Sequence, residues 1–367
     1  MTFPSDMALD DLRKRIDELD DRILKLLDDR AHVVGEVARV KRDANLPTYD
    51  PERERLILDR LAARAGPFPA DAIRAVFREI MSACLALEQP IKIAYLGPEG
   101  TFSHAAARAL FGLAARYSEA ATFEGVFDAV ARRDAQHGVV PIENSSEGSS
   151  NTAIDALIDG DLLIRAELEL EVSQCLLTAA AGLASIERLY SHPQPLGQCR
   201  LWLAKNLAHV QLVHAPSTAA AVREALSDPR GAAIAGRLAS ELYGLPIARE
   251  RIQDRPDNVT RFALVSLEDA PRTGDDKTTI AFSLREGHGR GSLMRALAIL
   301  DEEKINLTRI ESRPSREKQW DYVFLADFEG HRDDAHVARA LARLREKCHL
   351  VKLLGSYPRA GGSDLRP

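Results

Sequence analysis

Asp257-Asn258-Val259-Thr260-Arg261-Phe262 is the stretch from which the fold is read outward. A polar run, Arg251 to Asn258, empties into an apolar, β-prone one, Phe262 to Leu267. That pattern predicts a loop feeding a buried strand, with a hydroxyl on Thr260 and a guanidinium on Arg261 at the join. A rigid sheet holds loop ends in place, which is where catalytic and binding groups concentrate. An ordinary strand edge has the same local signature, so other segments must decide between the two readings.

Similar joins recur upstream. Ile91 to Leu96 reads as a strand; it runs into Gly97-Pro98-Glu99-Gly100-Thr101-Phe102-Ser103 and an Ala-rich helix. A strand, a Gly turn and a helix N-terminus present backbone N–H groups to an anion. The G-x-G-x-x-G spacing of dinucleotide sites is missing, and no Gly-Lys-Ser/Thr follows, so this is neither a dinucleotide loop nor a P-loop. Gly138 to Ile142 is a second strand, ending in Glu143-Asn144-Ser145-Ser146-Glu147-Gly148. Ser191-His192-Pro193-Gln194, Gln198-Cys199, Ser217 to Val222 and Ala232 to Ala235 follow. Strands alternating with helices predict twisted sheets with helices on their faces, in two lobes. Polar clusters at strand ends converge on a crevice in such folds.

Taken together, GPEGTFS, VVPIENSSEGS, SHPQ…QC, STAAAV and NVTRF, in that order over 91–267, resemble the prephenate dehydratase family. The resemblance implies loss of CO2 and water from prephenate to give phenylpyruvate. It implies that Thr260 assists the leaving hydroxyl, with Glu143 as the alternative proton carrier. Asn144 and Gln198 would orient the substrate, and Thr101 and Ser103 would bind a carboxylate. Arg261 would pair either with substrate or with Asp257. His104 and His192 are expected on a helix surface and in a turn.

Residues 1–90 read as three helices. Leu9, Leu12, Ile16, Leu19, Ile23 and Leu26, then Val33, Val37 and Val40, form one apolar seam. A helix of about 34 residues spans about 50 Å and overhangs any small globule, so a second copy of the chain is the expected cover. Asp50-Pro51-Glu52 starts the second helix; Ile73, Phe77, Ile80, Cys84 and Leu87 mark the third. Arg30 occupies a seam position, and Lys41, eleven residues on, returns to nearly the same face. Inward cations need acids or an anionic ligand; Asp50, Glu54 and Glu88 are the internal alternatives.

Arg13, Arg30, Lys41, Asp50-x-x-Arg53-Glu54 and Cys84-x-x-x-Glu88 resemble the all-helical chorismate mutase family across 8–89. The resemblance implies an intertwined dimer in which Arg30, Arg53 and a partner's Arg13 hold the chorismate carboxylates. Lys41 would meet the ether oxygen, and Asp50 and Glu54 the hydroxyl. A [3,3] rearrangement needs a folded conformer and charge complementarity, not a nucleophile. Cys84 stands where some members have Ser, and Glu88 where some have Gln. A carboxylate would repel the developing oxyanion, so Glu88 is expected to work protonated, its pKa raised by burial.

Beyond a polar linker at 269–277 the predicted order is βαββαβ, a ferredoxin-like sandwich. Gly287-x-Gly289-x-Gly291-Ser292-Leu293 and Glu311-Ser312-Arg313-Pro314 resemble the ACT sensing domain, with Ser292 where Ala is usual. The resemblance implies L-phenylalanine bound between two such domains, near Gly291, Ser292, Leu293, Glu311 and Ser312.

The chain has 367 residues and a formal net charge of -6. Its charges are mixed, with no basic stripe for nucleic acid or membrane. No apolar run approaches a membrane span, and Asp6, Asp10 and Asp11 interrupt any leader pattern. Four scattered cysteines suit reduced thiols in a cytoplasm; neither they nor the histidines have metal-ligand spacing, and no cofactor is expected. The fold class expected is multidomain: all-α mutase helices at 1–90, a two-lobed α/β dehydratase domain at 91–270 and an α+β ACT domain at 276–358. The functional expectation is a homodimeric bifunctional chorismate mutase/prephenate dehydratase inhibited by L-phenylalanine. The rivals are a non-catalytic carboxylate sensor, and a dehydratase whose helices only dimerise.

Overall fold

The computed structural model describes residues 4–44, 49, 51–88, 90–146, 148–284, 290–314 and 322–359. The chain divides into two compact units, Met1–Ile91 with Phe111–Arg116, and Lys92–Leu110 with Tyr117–Pro367.

The first unit holds α1 (Pro4–Asp43), α2 (Pro51–Ala62) and α3 (Ala70–Glu88). At 40 residues α1 exceeds the length its apolar period predicts. The extra turn comes from Pro4-Ser5-Asp6, which starts a helix without contributing to the seam. The seam itself is bare: Leu12 is 52%, Leu26 67% and Val40 65% exposed. Tyr49, Met81 and Cys84 are buried, and Tyr49 lies against Phe111 with ring centroids 4.7 Å apart.

In the second unit, the first lobe contains β1 (Lys92–Leu96), α4 (Phe102–Phe111), β2 (Arg116–Ala120), α5 (Phe123–Ala131), β3 (His137–Asn144), β4 (Gly148–Ser149), α6 (Asn151–Asp159) and β5 (Leu163–Glu171). The second lobe follows, with β6 (Cys175–Thr178), β7 (Arg188–Ser191), α7 (Pro193–Gln198), α8 (Arg200–Asn206), β8 (Gln211–His214), α9 (Thr218–Leu226), β9 (Gly231–Ala235), α10 (Arg237–Tyr243) and β10 (Ile247–Arg249). The chain then returns through 250–258 into β11 (Val259–Ser266), which sits between β3 and β5 in the order β2-β1-β3-β11-β5. The second lobe's sheet runs β10-β6-β9-β7-β8. The hexapeptide is therefore where the chain crosses back from one lobe to the other.

Last come β12 (Asp276–Leu284), α11 (Ser292–Glu302), β13 (Leu307–Pro314), β14 (Tyr322–Glu329), α12 (Ala335–Lys347) and β15 (Cys348–Pro358), in the sheet order β13-β14-β12-β15. Strand alternation splits this sheet's apolar residues. Ile280, Phe282 and Phe328 pack with Leu300, Val337 and Leu341 of its own helices. Ala281, Leu325, Leu354 and Tyr357 join Ile164, Ala263 and Val265 of the first lobe in one continuous core. Gly355 lets β15 lie on the β5 backbone, since a Cβ there would stand 2.3 Å from the Ile164 carbonyl oxygen. The segment read as a polar linker is fastened: Ala270 is buried, and the Asp276 carboxylate accepts from the N–H groups of Thr273 and Gly274, both at 2.9 Å.

Candidate active sites

In the second unit, Thr260 faces Asn144 across the β11–β3 ladder. The Asn144 amide nitrogen donates to Thr260 Oγ1 and to Asn258 Oδ1, both at 2.8 Å. Its orientation is set by the Ser146 N–H, which donates to Asn144 Oδ1 at 2.9 Å and so requires oxygen there. Thr260 Oγ1 is thus an acceptor from Asn144, which leaves its own O–H to donate elsewhere. Among the described residues that proton has no acceptor. Ser145 closes the corner: its hydroxyl donates to Asp257 O at 3.1 Å and accepts from Val259 N at 3.0 Å.

Asn258 and Ser146 line a cleft of about 590 Å³, together with Gln198, Gln253, Asp254 and Arg255. Gln198 Oε1 accepts from Gln174 Nε2 at 3.0 Å, and Gln253 Oε1 accepts from Gln174 N at 3.0 Å. Gln198 thus lines the cleft, and Asn144 and Thr260 adjoin it through Asn258. Reading by motif quoted Asn258 without giving it a place in the site and did not single out Gln253 or Arg255, which also line the cleft; the loop's density of amides ahead of an apolar strand was the available signal. Thr101 serves the backbone instead, donating to Leu96 O at 3.1 Å and accepting from His104 N at 3.3 Å. Ser103 is buried beside it. His192 takes its expected turn role, accepting from Gln194 N at 3.3 Å. His104 does not lie on a surface: it is buried, stacks on Tyr95 at 4.7 Å, and burial lowers its pKa to about 4, assisted by Arg108.

Glu143 and Arg261 require correction. Alternation along β3 and β11 sends them to the face opposite Asn144 and Thr260. There Arg261 meets Glu167 at 2.7 Å, Asp327 at 2.7 Å, Glu143 at 3.3 Å and the Tyr357 hydroxyl at 3.0 Å. Burial opposes its charge, but Tyr357, Asp327 and Glu167 outweigh that and hold its pKa above the ordinary arginine value. Arg261 pairs with neither Asp257 nor the cleft, and Glu143 is not beside the Thr260 hydroxyl. Both belong to an ion cluster with Arg309 of β13, 3.3 Å from Glu143.

In the first unit, Arg30 is half-buried, and its Nη1 has no hydrogen-bond partner among the described residues. Glu88 Oε2 is likewise buried and unpartnered. Burial raises the Glu88 pKa, while Lys41 and Arg42 pull it the other way, so Lys41 and Glu88 share one local field. Cys84 is buried one helical turn from Glu88. Glu54 is half-buried and Arg53 exposed. Arg13 is exposed and pairs with Asp10 at 3.1 Å, not with this group. Asp50 lies outside the described residues.

At the third sheet, Gly291 caps α11 with φ +78, the left-handed region that favours glycine. Ser292 and Leu293 begin that helix. Ser312 is exposed on the edge strand β13. Glu311 points the other way, held by Arg309 at 2.5 Å and by the Ser149 hydroxyl. Arg313 shares that inward side, reaching Asp155 of α6 at 2.6 Å. Glu311 is thus engaged with Arg309 and with Ser149 of the first lobe.

Three family descriptions match the chain: chorismate mutase type II over 12–89, prephenate dehydratase over 93–270 and ACT domain over 286–346. The chain is 44% identical over 357 residues to a bifunctional chorismate mutase/prephenate dehydratase of Aquifex aeolicus, covering 96% of this chain and 98% of that one. A prephenate dehydratase of Arthrobacter aurescens, solved in complex with L-Phe, is similar at 37% identity and TM-score 0.67 over 74% of this chain and 90% of that one. GqqA, described as a novel type of quorum quenching acylase, is similar at 30% identity and TM-score 0.66, over 73% and 98% of the two chains. One architecture thus carries differently named activities, and the full-length relative is the one that covers the mutase helices as well.

Proposed function

The chain belongs to the bifunctional chorismate mutase/prephenate dehydratase family with an ACT domain, and from that premise we propose how its residues divide the two reactions. In the dehydratase step the ring C–carboxylate bond of prephenate breaks and its electron pair enters the ring. The C–O bond at the opposite ring carbon breaks, and hydroxide leaves. Thr260 donates a hydrogen bond to that oxygen, while Asn144 holds Thr260 Oγ1 in place. The observation that carries this reading is the Asn144 bond at 2.8 Å, which fixes Thr260 as a donor with its proton unclaimed. A neutral hydroxyl is a poor acid, so its contribution is positional and electrostatic. Gln198 and Asn258 orient the substrate in the cleft.

In the mutase step Arg30 pairs with a chorismate carboxylate. Lys41 and a protonated Glu88 face the ether oxygen that gains charge. Cys84 packs beneath them, Glu54 and Asp50 take the hydroxyl, and Arg53 with Arg13 of a second copy completes the anion site. The bare α1 seam supports that second copy, because apolar residues three and four apart over a whole helix need cover. L-Phenylalanine, the ligand of the Arthrobacter relative, inhibits the dehydratase by binding near Gly291, Ser292, Leu293 and Ser312. The domains run 1–90, 91–270 and 276–358. The direct test feeds chorismate to the pure chain and follows prephenate and phenylpyruvate, with and without L-phenylalanine. Phenylpyruvate should form and L-phenylalanine should suppress it; prephenate accumulating alone would overturn the dehydratase assignment.

A further inference from the structure

The cleft beside Thr260 must hold a substrate with two carboxylates, yet most of its described lining is neutral. Arg255 is the one cation among the described lining residues. It is exposed and has neither ion pair nor hydrogen bond among the described residues. Asp254 next to it keeps its charge but makes no ion pair with it among the described residues: its two carboxylate oxygens accept from the N–H groups of Leu201 and Trp202, both at 3.0 Å. Two residues before Arg255, Gln253 is 8% exposed and lines the same cleft. Its Oε1 is occupied by Gln174 N, which turns its Nε2 into a buried donor, and that nitrogen has no partner among the described residues. A buried donor left unpaired costs free energy unless a ligand meets it. A free guanidinium and an unpaired amide N–H two residues apart are both donors and suit a carboxylate.

We propose that Gln253 and Arg255 form the subsite for the pyruvyl carboxylate of prephenate. This rests on the cleft being the dehydratase site. The choice between the two carboxylates follows from the reaction. The ring carboxylate must give up its negative charge as CO2 departs, so a cation bonded to it would stabilise the ground state more than the transition state and slow the reaction. The pyruvyl carboxylate keeps its charge from substrate through product. A partner for it binds substrate, transition state and phenylpyruvate alike, which lowers KM without altering kcat.

The test uses the full chain and four variants: Arg255→Ala, Arg255→Lys, Gln253→Leu and Thr260→Ala. Loss of one charge-assisted contact should raise KM for prephenate about ten- to hundredfold in Arg255→Ala, with kcat within about threefold. Arg255→Lys should recover part of the loss, since the charge remains but the planar fork does not. The fall of kcat/KM with added salt should flatten in Arg255→Ala. Phenylpyruvate, which retains this carboxylate, should inhibit Arg255→Ala more weakly by a similar factor. The denaturant midpoint of the second unit reports the fold of each variant, and prephenate binding to Thr260→Ala with and without Arg255→Ala reads the contact without chemistry. An active wild type whose KM and salt dependence survive Arg255→Ala overturns the subsite alone. A kcat loss with unchanged phenylpyruvate inhibition overturns the assignment to the pyruvyl carboxylate. A wild type that does not consume prephenate overturns the functional reading itself.

Discussion

Thr260 and Arg261 are consecutive on β11, and their side chains leave the sheet on opposite faces: Thr260 Oγ1 lies 2.8 Å from Asn144, and Arg261 lies 2.7 Å from Asp327 of the third sheet. The neighbouring strand β3 repeats the division, with Asn144 on the first side and Glu143 on the second. One pair of strands therefore carries the Thr260 hydroxyl on one surface and grips the ACT sheet on the other.

Thr260→Ala should lower dehydratase kcat by about two to four orders of magnitude, the usual worth of a positioned proton donor. Mutase activity should be unchanged, so chorismate fed to the variant accumulates as prephenate. Phenylpyruvate formed at the wild-type rate would remove Thr260 from the reaction.

Glu88 is half-buried with its Oε2 out of solvent, and that burial raises its pKa despite Lys41 and Arg42. If the acid form faces the ether oxygen, mutase activity is held below that raised pKa and falls as pH climbs through it. Glu88→Gln keeps a donor that does not titrate, and its profile should be flat across the same interval. Matching profiles for the two proteins would contradict a protonated Glu88.

Asp327 is buried and meets Arg261 at 2.7 Å. Asp327→Asn removes one of the three carboxylates around Arg261 while Glu167 and Glu143 remain, and should cost about 1–3 kcal/mol of stability, read as a drop in the denaturant midpoint. Arg309→Ala is milder because Arg309 is less deeply buried. It removes the link from β13 to Glu143, and the concentration of L-phenylalanine that halves dehydratase activity should rise about fivefold or more. Undiminished sensitivity in a folded Arg309→Ala would route inhibition elsewhere.

Leu19 and Leu26 are 50% and 67% exposed on α1. If a second copy covers them, the double variant Leu19→Asp/Leu26→Asp should dissociate into monomers by sedimentation. Mutase activity should fall with it, since Arg13 would no longer reach a partner's site. A wild-type chain that sediments as a monomer would refute the intertwined dimer.

Much of this was legible without coordinates. The βαββαβ order at the C-terminal end and the helix 335–347 follow from period and turn chemistry, and the structure has α12 at Ala335–Lys347. The α1 seam was legible because apolar residues three and four apart need no tertiary information. His104 was misplaced because its neighbours are alanines on an amphipathic helix, and only the Tyr95 ring stacked on it reveals that its face is inward. That the polar linker is fastened was not legible, because Asp276 looks like a surface acid until its carboxylate is seen accepting from Thr273 and Gly274.

The hexapeptide shows where the boundary falls. By itself the sequence determined that Asp257 to Phe262 passes from loop to buried strand and that five such polar clusters occur in one order, the Asn144 and Thr260 clusters among them. Local propensity and motif order carry that much. Tertiary structure alone decided which face each residue takes. Thr260 and Asn144 are 116 residues apart, and β-register is set by partner strands, so a shift of one position would exchange Thr260 for Arg261 at the cleft. The same nonlocal pairing placed Glu143 and Arg261 against the ACT sheet, while Gln253 and Arg255 line the cleft.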